Sequence, residues 1–128
     1  MITVYTSSSC LSCRKTKEWL REHRLPFREI DITKTKLTID EVKHIFSLTE
    51  NGIDDVISRQ SKAFARLAID MEDLSLHTLF HIICKHPTLL KRPIIMDDKQ
   101  LLAGYHDEEI RRFLPRSVRN QLKEGIYV

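Results

Sequence analysis

Residues 2–20 read ITVYTSSSCLSCRKTKEWL, and the rest of the chain takes its meaning from them. Ile2 to Thr6 is β-branched and aromatic, the composition of a short strand, and Ser7-Ser8-Ser9 ends it. Residues 11–23 follow with helical spacing: Cys13, Thr16 and Leu20 share one face, Lys15, Glu18 and Glu22 fall elsewhere, and Trp19 widens the apolar stripe. Cys10 and Cys13 therefore stand at i and i+3 on the first turn of a helix that follows a strand. They lie on one side of it, within bridging reach. A helix N-terminus presents unpaired N–H groups and partial positive charge, which favour thiolate over thiol; Arg14 and Lys15 add cations. Such a thiolate reacts with peroxide or disulfide, and its neighbour resolves the product into an intramolecular bridge. The bland alternative is two inert cysteines that happen to lie close.

Downstream, Pro26 closes a turn and Phe27 to Ile32 alternates apolar with charged residues, as a second strand should. The opening is β-α-β, the unit of parallel pairing. From about 35 to 88 the pattern is helical. Thr38-Ile39-Asp40-Glu41 is a capping box, followed by Val42, Ile45 and Phe46 as a buried face, and Asn51-Gly52 reads as a helix stop or turn. Further helices are expected over 58–67 and 75–85, the second with Leu76, Leu79, Phe80 and Ile83 on one stripe. Pro93 to Met96 is a strand, Asp97-Asp98-Lys99 a turn, and Gln100 to Ala103 a hairpin partner. Asp107 is expected to cap a helix running through Phe113. This order predicts an α/β, thioredoxin-like fold with a small mixed sheet: residues 1–34 and 89–116 as the redox domain, 35–88 as a helical insertion, and 117–128 as a basic tail. Proteins of that fold place a cis-proline at the start of the third strand, facing the dithiol, and Arg92-Pro93-Ile94 stands at that point. Arg92 fits either a solvated edge residue or a cation aimed at the thiolate.

With 128 residues, 41% apolar and 30% charged, the chain has the make-up of one soluble domain with a real core. No apolar run approaches the roughly 20 residues of a membrane span. The N-terminus lacks the basic-then-apolar pattern of a signal peptide, so a cytoplasmic location is expected. Three cysteines are too few for a disulfide scaffold, and in a reducing compartment a close pair is redox-active or metal-binding. A structural zinc site takes four ligands, of which Cys10 and Cys13 supply two. Cys84 reads as a small core or helix-end residue, and His77 and His81, spaced i, i+4, as a solvated pair beside His86. No metal and no other cofactor is expected. The net charge of +3 is mild. It is concentrated at the end, where Arg111, Arg112, Arg116, Arg119 and Lys123 face only Glu124, for a net +4. A solvated helix face accounts for that cluster as simply as weak contact with DNA phosphates does.

The stretches YTSSSCLSCRKTKEWL (5–20), EVKHIFSLTENGIDDVIS (41–58), LFHIICKHPTLLKRP (79–93), RPII (92–95) and GYHDEEIRRFLPR (104–116) together resemble the arsenate-reductase-like proteins. Within them, they resemble the Spx transcriptional regulators of low-GC Gram-positive bacteria. The resemblance implies a non-enzymatic regulator that binds the C-terminal domain of the RNA polymerase α subunit under thiol stress. It implies a Cys10–Cys13 disulfide as the switch, with Arg92 close to it and Gly52 in the polymerase contact; helix capping is the alternative role for Gly52. It brings in weak promoter DNA contact within the complex and an ATP-dependent protease as further partners, and a monomer when free. Two departures stand out. Gln60 precedes Ser61-Lys62 where family members often carry arginine, with Arg59 one position earlier. The sequence ends Gly125-Ile126-Tyr127-Val128, without the Leu-Ala-Asn type of terminus that delivers well-known members to a protease. The competing class is an arsenate reductase or glutaredoxin-like oxidoreductase with Cys10 as nucleophile and Arg14 in its loop. An arsenate oxyanion needs several arginines. Only Arg92 is well placed, Gln60 and Tyr105 standing where other cations are expected.

Overall fold

Strand β1 (Ile2–Thr6) is buried on both faces, with Val4 fully enclosed and Tyr5 and Thr6 nearly so. In the computed structural model, which describes residues 1–68, 70, 73–116 and 118, this apolar run is the centre of a four-stranded sheet. Its order is β2-β1-β3-β4. Strand β2 (Phe27–Asp31) runs parallel to β1, pairing Ile2 with Phe27 and Thr6 with Asp31. Helix α1 (Leu11–Glu22) makes the crossover between them. Strand β3 (Ile94–Met96) runs antiparallel to β1, with Val4 opposite Ile95, and strand β4 (Leu101–Ala103) returns against β3.

Alternation along these strands sends side chains to two separate cores. On one face Ile2, Val4, Ile95 and Leu102 pack with Leu20 of α1 and with Ile110 and Phe113. On the other, Tyr5, Ile94 and Met96 meet the helical middle of the chain. That middle comprises α2 (Ile39–Ser47), α3 (Ile53–Val56), α4 (Lys62–Leu67) and α5 (Leu76–Lys85). Val42, Ile45, Leu79, Phe80 and Ile83, all marked by helical spacing, form its buried face, whereas Phe46 is partly buried and Leu76, marked on the same stripe as Leu79, is exposed. The capping box at α2 is complete: the Thr38 hydroxyl accepts from the Glu41 amide at 3.1 Å, and the Glu41 carboxylate accepts from the Thr38 amide at 3.2 Å.

Three local expectations give way to longer-range contacts. The helix expected over 58–67 shortens to α4, and the separate turn α3 at 53–56 precedes it. The residues between them bond elsewhere: Ile57 forms an isolated antiparallel bridge with Leu90, and the Ser58 amide donates to the Leu89 carbonyl at 2.8 Å. Gly52 does not end α2, which closes at Leu48; it opens α3 as its N-cap, at φ +71° and ψ −128°. The helix expected behind Asp107 is a single 3₁₀ segment, Glu109–Phe113, preceded by Glu108 without a side-chain cap. Side chains three apart eclipse in a 3₁₀ segment, so Ile110 and Phe113 enter the same core together.

Of the C-terminal cations, Arg111 and Arg116 are exposed. The Arg112 guanidinium donates to the backbone carbonyls of Leu101 and Glu109, so part of the cluster pins the 3₁₀ segment against β4. Apart from Val118, the basic tail lies outside the described residues. No helix among the described residues is long and apolar enough to cross a membrane.

Candidate functional site

Strands β1 and β3 deliver the site. β1 ends at Thr6, whose hydroxyl donates to Glu29 of β2 at 2.7 Å, while Lys17 of α1 pairs with the same carboxylate at 3.0 Å. Burial works against ionising Glu29, but the hydrogen bonds from Thr6 and Lys17 outweigh it and hold its pKa below the usual value. This clasp fixes α1 to both strands. Ser9 then takes a left-handed conformation, φ +59°, which costs a non-glycine residue about 1–2 kcal/mol. It turns the chain so that Cys10 becomes the N-cap of α1.

Cys10 is half-buried and its Sγ accepts the Cys13 amide N–H at 3.2 Å, the place a serine or aspartate oxygen takes in an ordinary cap. Cys13, one turn on, is 2% exposed and shares the inner face of α1 with Thr16 and Leu20. All three cysteines are free thiols. Burial, then the hydrogen bond with Cys10, pushes the Cys13 pKa up to about 12, against a weaker opposing pull from Arg92. The two thiols are therefore unlike: one faces an opening at a helix N-terminus, the other is kept protonated inside. Cys84, in the last turn of α5, is half-buried, and burial with the nearby Glu41 raises its pKa as well.

The raised pKa has a consequence for stability. Between about pH 9 and pH 12 the folded chain keeps the Cys13 proton that the unfolded chain has released. Unfolding is then favoured by rising pH. Tyr5, raised from 10.0 to about 12 by burial and then by Glu41, acts in the same direction at the upper end. Denaturant midpoints are expected to fall through this window in wild type. The fall should be shallower in Cys13→Ala, and an unchanged slope in that variant would remove Cys13 as the cause.

An open cavity of about 500 Å³ lies against Cys10, walled by Ser7-Ser8-Ser9, Ser58, Lys91, Arg92 and Gly104. Arg92-Pro93 is a cis peptide, at the start of β3 as expected, and the Pro93 carbonyl accepts from Gly104 at 2.7 Å. The structure thus sets Cys10 and Arg92 along one cavity, with Cys13 within reach of the Arg92 charge and Pro93 next to Arg92 in the chain. Arg14 it does not: its side chain is exposed and takes no part in the cavity wall. Gln60 is exposed and Tyr105 leans on the second core. Among the described residues, Lys91 and Arg92 are the cations of the wall.

Gly52 does not line this cavity; it stands at the N-terminus of α3. It is half-buried, and a Cβ built there would meet no atom within 4 Å. Its conformation, however, is one that essentially only glycine adopts. Lys91 connects the two places. Its amide donates to Val56 at 2.7 Å and its ammonium to the Asp54 carbonyl at 2.9 Å, while its side chain also borders the Cys10 cavity. Sequence reasoning missed Lys91 and Ser58; only their adjacency to Arg92-Pro93 and to the Ile57 bridge marks them, and the second is invisible in one dimension. Among the described residues, no three His, Cys, Asp or Glu side chains are grouped to hold a metal.

A helix-capping cysteine, a buried partner one turn later, and a cis-proline opposite, on a four-stranded mixed sheet, define a thioredoxin-like dithiol protein of arsenate-reductase type. Solved structures share this fold: an arsenate reductase from Vibrio cholerae superposes with TM-score 0.79 at 23% identity, covering 88% of this chain and 97% of that one. A possible arsenate reductase from Streptococcus mutans gives 0.76 at 20% identity, over 88% and 98%. The ArsC family model matches residues 5–113. The global transcriptional regulator Spx of Bacillus subtilis is 52% identical over 126 residues, 98% of this chain and 96% of that protein. Spx of Staphylococcus epidermidis is 53% identical over the same shares. The chain belongs to the ArsC family and, within it, to the Spx family of global transcriptional regulators.

Proposed function

We propose that this protein is a redox-responsive transcription regulator of the cytoplasm that binds the C-terminal domain of the RNA polymerase α subunit, with a Cys10–Cys13 disulfide as its switch. The observation that carries the reading is the inequality of the two thiols. Cys10 at the mouth of α1 can attack a peroxide oxygen, yielding its sulfenic acid and water; Cys13 then displaces the hydroxyl, as a second water, and the S–S bond forms. Arg92 lines the cavity on which Cys10 opens. Binding rather than catalysis is supported by the small number of cations around Cys10, since holding a multiply charged oxyanion asks for several.

The output surface in this reading is the α3 region around Gly52. Its test needs two variants, because any side chain at φ +71° strains the backbone. With the isolated α C-terminal domain, Gly52→Arg is expected to abolish binding, at least about a hundredfold in Kd, roughly 3 kcal/mol. Gly52→Ala, which adds strain but meets no neighbour, should lose far less. Equal losses in both variants would mean that backbone geometry, not contact, is at stake. Wild-type protein that ignores the α domain but turns over arsenate with a thiol reductant would overturn the regulator reading altogether.

A further inference from the structure

Helix α5 turns Leu79, Phe80 and Ile83 into the core and leaves His77 and His81 exposed on its outer side. Residues four apart on a helix are neighbours, yet exposed side chains usually splay into solvent. These two converge: their Nε2 atoms are 3.1 Å apart, with ring centroids at 4.4 Å and planes at 76°. Two imidazole nitrogens this close either share one proton or face a common third atom.

The spacing suits the second arrangement. With metal–nitrogen bonds of about 2.0–2.1 Å, two nitrogens on one ion stand about 2.9 Å apart at a right angle and about 3.3 Å apart at the tetrahedral angle. The observed separation lies between these values, and near-perpendicular rings let both nitrogens aim at one point without a clash. Paired histidines at i, i+4 on one helix face are an established way to present two ligands to a metal. Both rings are exposed, so an ion reaches them without unfolding the helix.

We propose that His77 and His81 form a two-nitrogen clamp for a divalent transition metal of the zinc, nickel and copper class, with water completing its coordination. Imidazole selects these ions over magnesium and calcium, which prefer oxygen. No third His, Cys, Asp or Glu joins the pair among the described residues, and the ammonium-bearing Lys85 stands beside His81 and His86 in a neighbouring hollow. The bound ion is therefore weakly held and exchangeable, unlike a structural zinc.

The test uses the full-length reduced protein, uniformly isotope-labelled, titrated with Ni²⁺ and followed by NMR of its backbone amides and histidine rings. His77 and His81 are expected to broaden first and together, ahead of the other four of the six histidines, with Mg²⁺ producing nothing. His77→Gln and His81→Gln, both neutral and on an exposed helix face, should each weaken binding by at least about tenfold. Broadening that begins at residues 10–13 would assign the metal to the cysteine pair and overturn the proposal. So would a Ni²⁺ affinity that neither glutamine variant changes, or broadening spread evenly over all six rings.

Discussion

Cys10→Ser protein is expected to retain both of its remaining thiols after peroxide treatment, whereas wild type falls from three to one. Serine is among the best N-cap residues, and its hydroxyl can take the Cys13 amide bond that Cys10 Sγ accepts at 3.2 Å. Folding stability should therefore stay within about 0.5 kcal/mol of wild type, since a good cap replaces the weak sulfur acceptor. The complementary variant, Cys13→Ala, keeps the more accessible thiol and loses its partner. It is expected to accumulate sulfenic acid at Cys10, trapped by dimedone and visible by mass. Free-thiol counts decide the matter. If Cys10→Ser loses two thiols at the wild-type rate, the reactive group is Cys13 or Cys84, and the division of labour drawn from burial is wrong.

Ile95→Ala is expected to cost about 2–5 kcal/mol of folding stability, a large share of the about 5–15 kcal/mol typical of a domain. Ile95 is fully enclosed on β3, between Val4 of β1 and Leu102 of β4, and packs with Leu20, Ile110 and Phe113. Its loss opens a hole where the sheet, α1 and the C-terminal 3₁₀ segment meet, and a sheet centre has little freedom to collapse inward. Ile94→Ala, also fully enclosed but facing the helical side, should be as damaging for an independent reason. Urea unfolding gives both numbers. A loss under about 1 kcal/mol at Ile95, the range of an exposed or well-tolerated substitution, would show that this second core contributes little.

Features that depend on nearest neighbours were legible in the sequence. β-branched and aromatic composition placed β1, alternation placed β2, helical spacing placed Cys13, Thr16 and Leu20 on one face, and the Thr38–Glu41 box closes over three residues. The turn at Arg92-Pro93 was legible because proline is tied to a strand start in this fold. What escaped depends on residues far apart. Nothing near Ile57 announces its bridge to Leu90, yet that bridge divides α3 from α4 and sets Ser58 and Lys91 beside the thiols. Glycine at 52 was ambiguous because a positive φ serves a helix end and a helix start equally well. Asp107 carried a sound local signal for a cap; the packing of Ile110 and Phe113 overrode it. At the candidate site, the chemistry of the cysteines was readable and the wall around them was not.

The register of the sheet carries one more lesson. Tyr5 lies opposite Ile94, and Ile94 opposite Ala103, so β1 finishes, β3 begins and β4 finishes along a single rim. Ser7 to Cys10, Arg92-Pro93 and Gly104 all depart from that rim, and the helical middle of the chain leaves and rejoins there too. The opposite rim carries the start of β1, the turn from α1 into β2, and the tight hairpin at Asp97-Asp98-Lys99. The sheet works like a mounting plate drilled along one side, on which thiol chemistry and the surrounding helices are separate fittings. Proteins named arsenate reductases and Spx regulators share this one chassis.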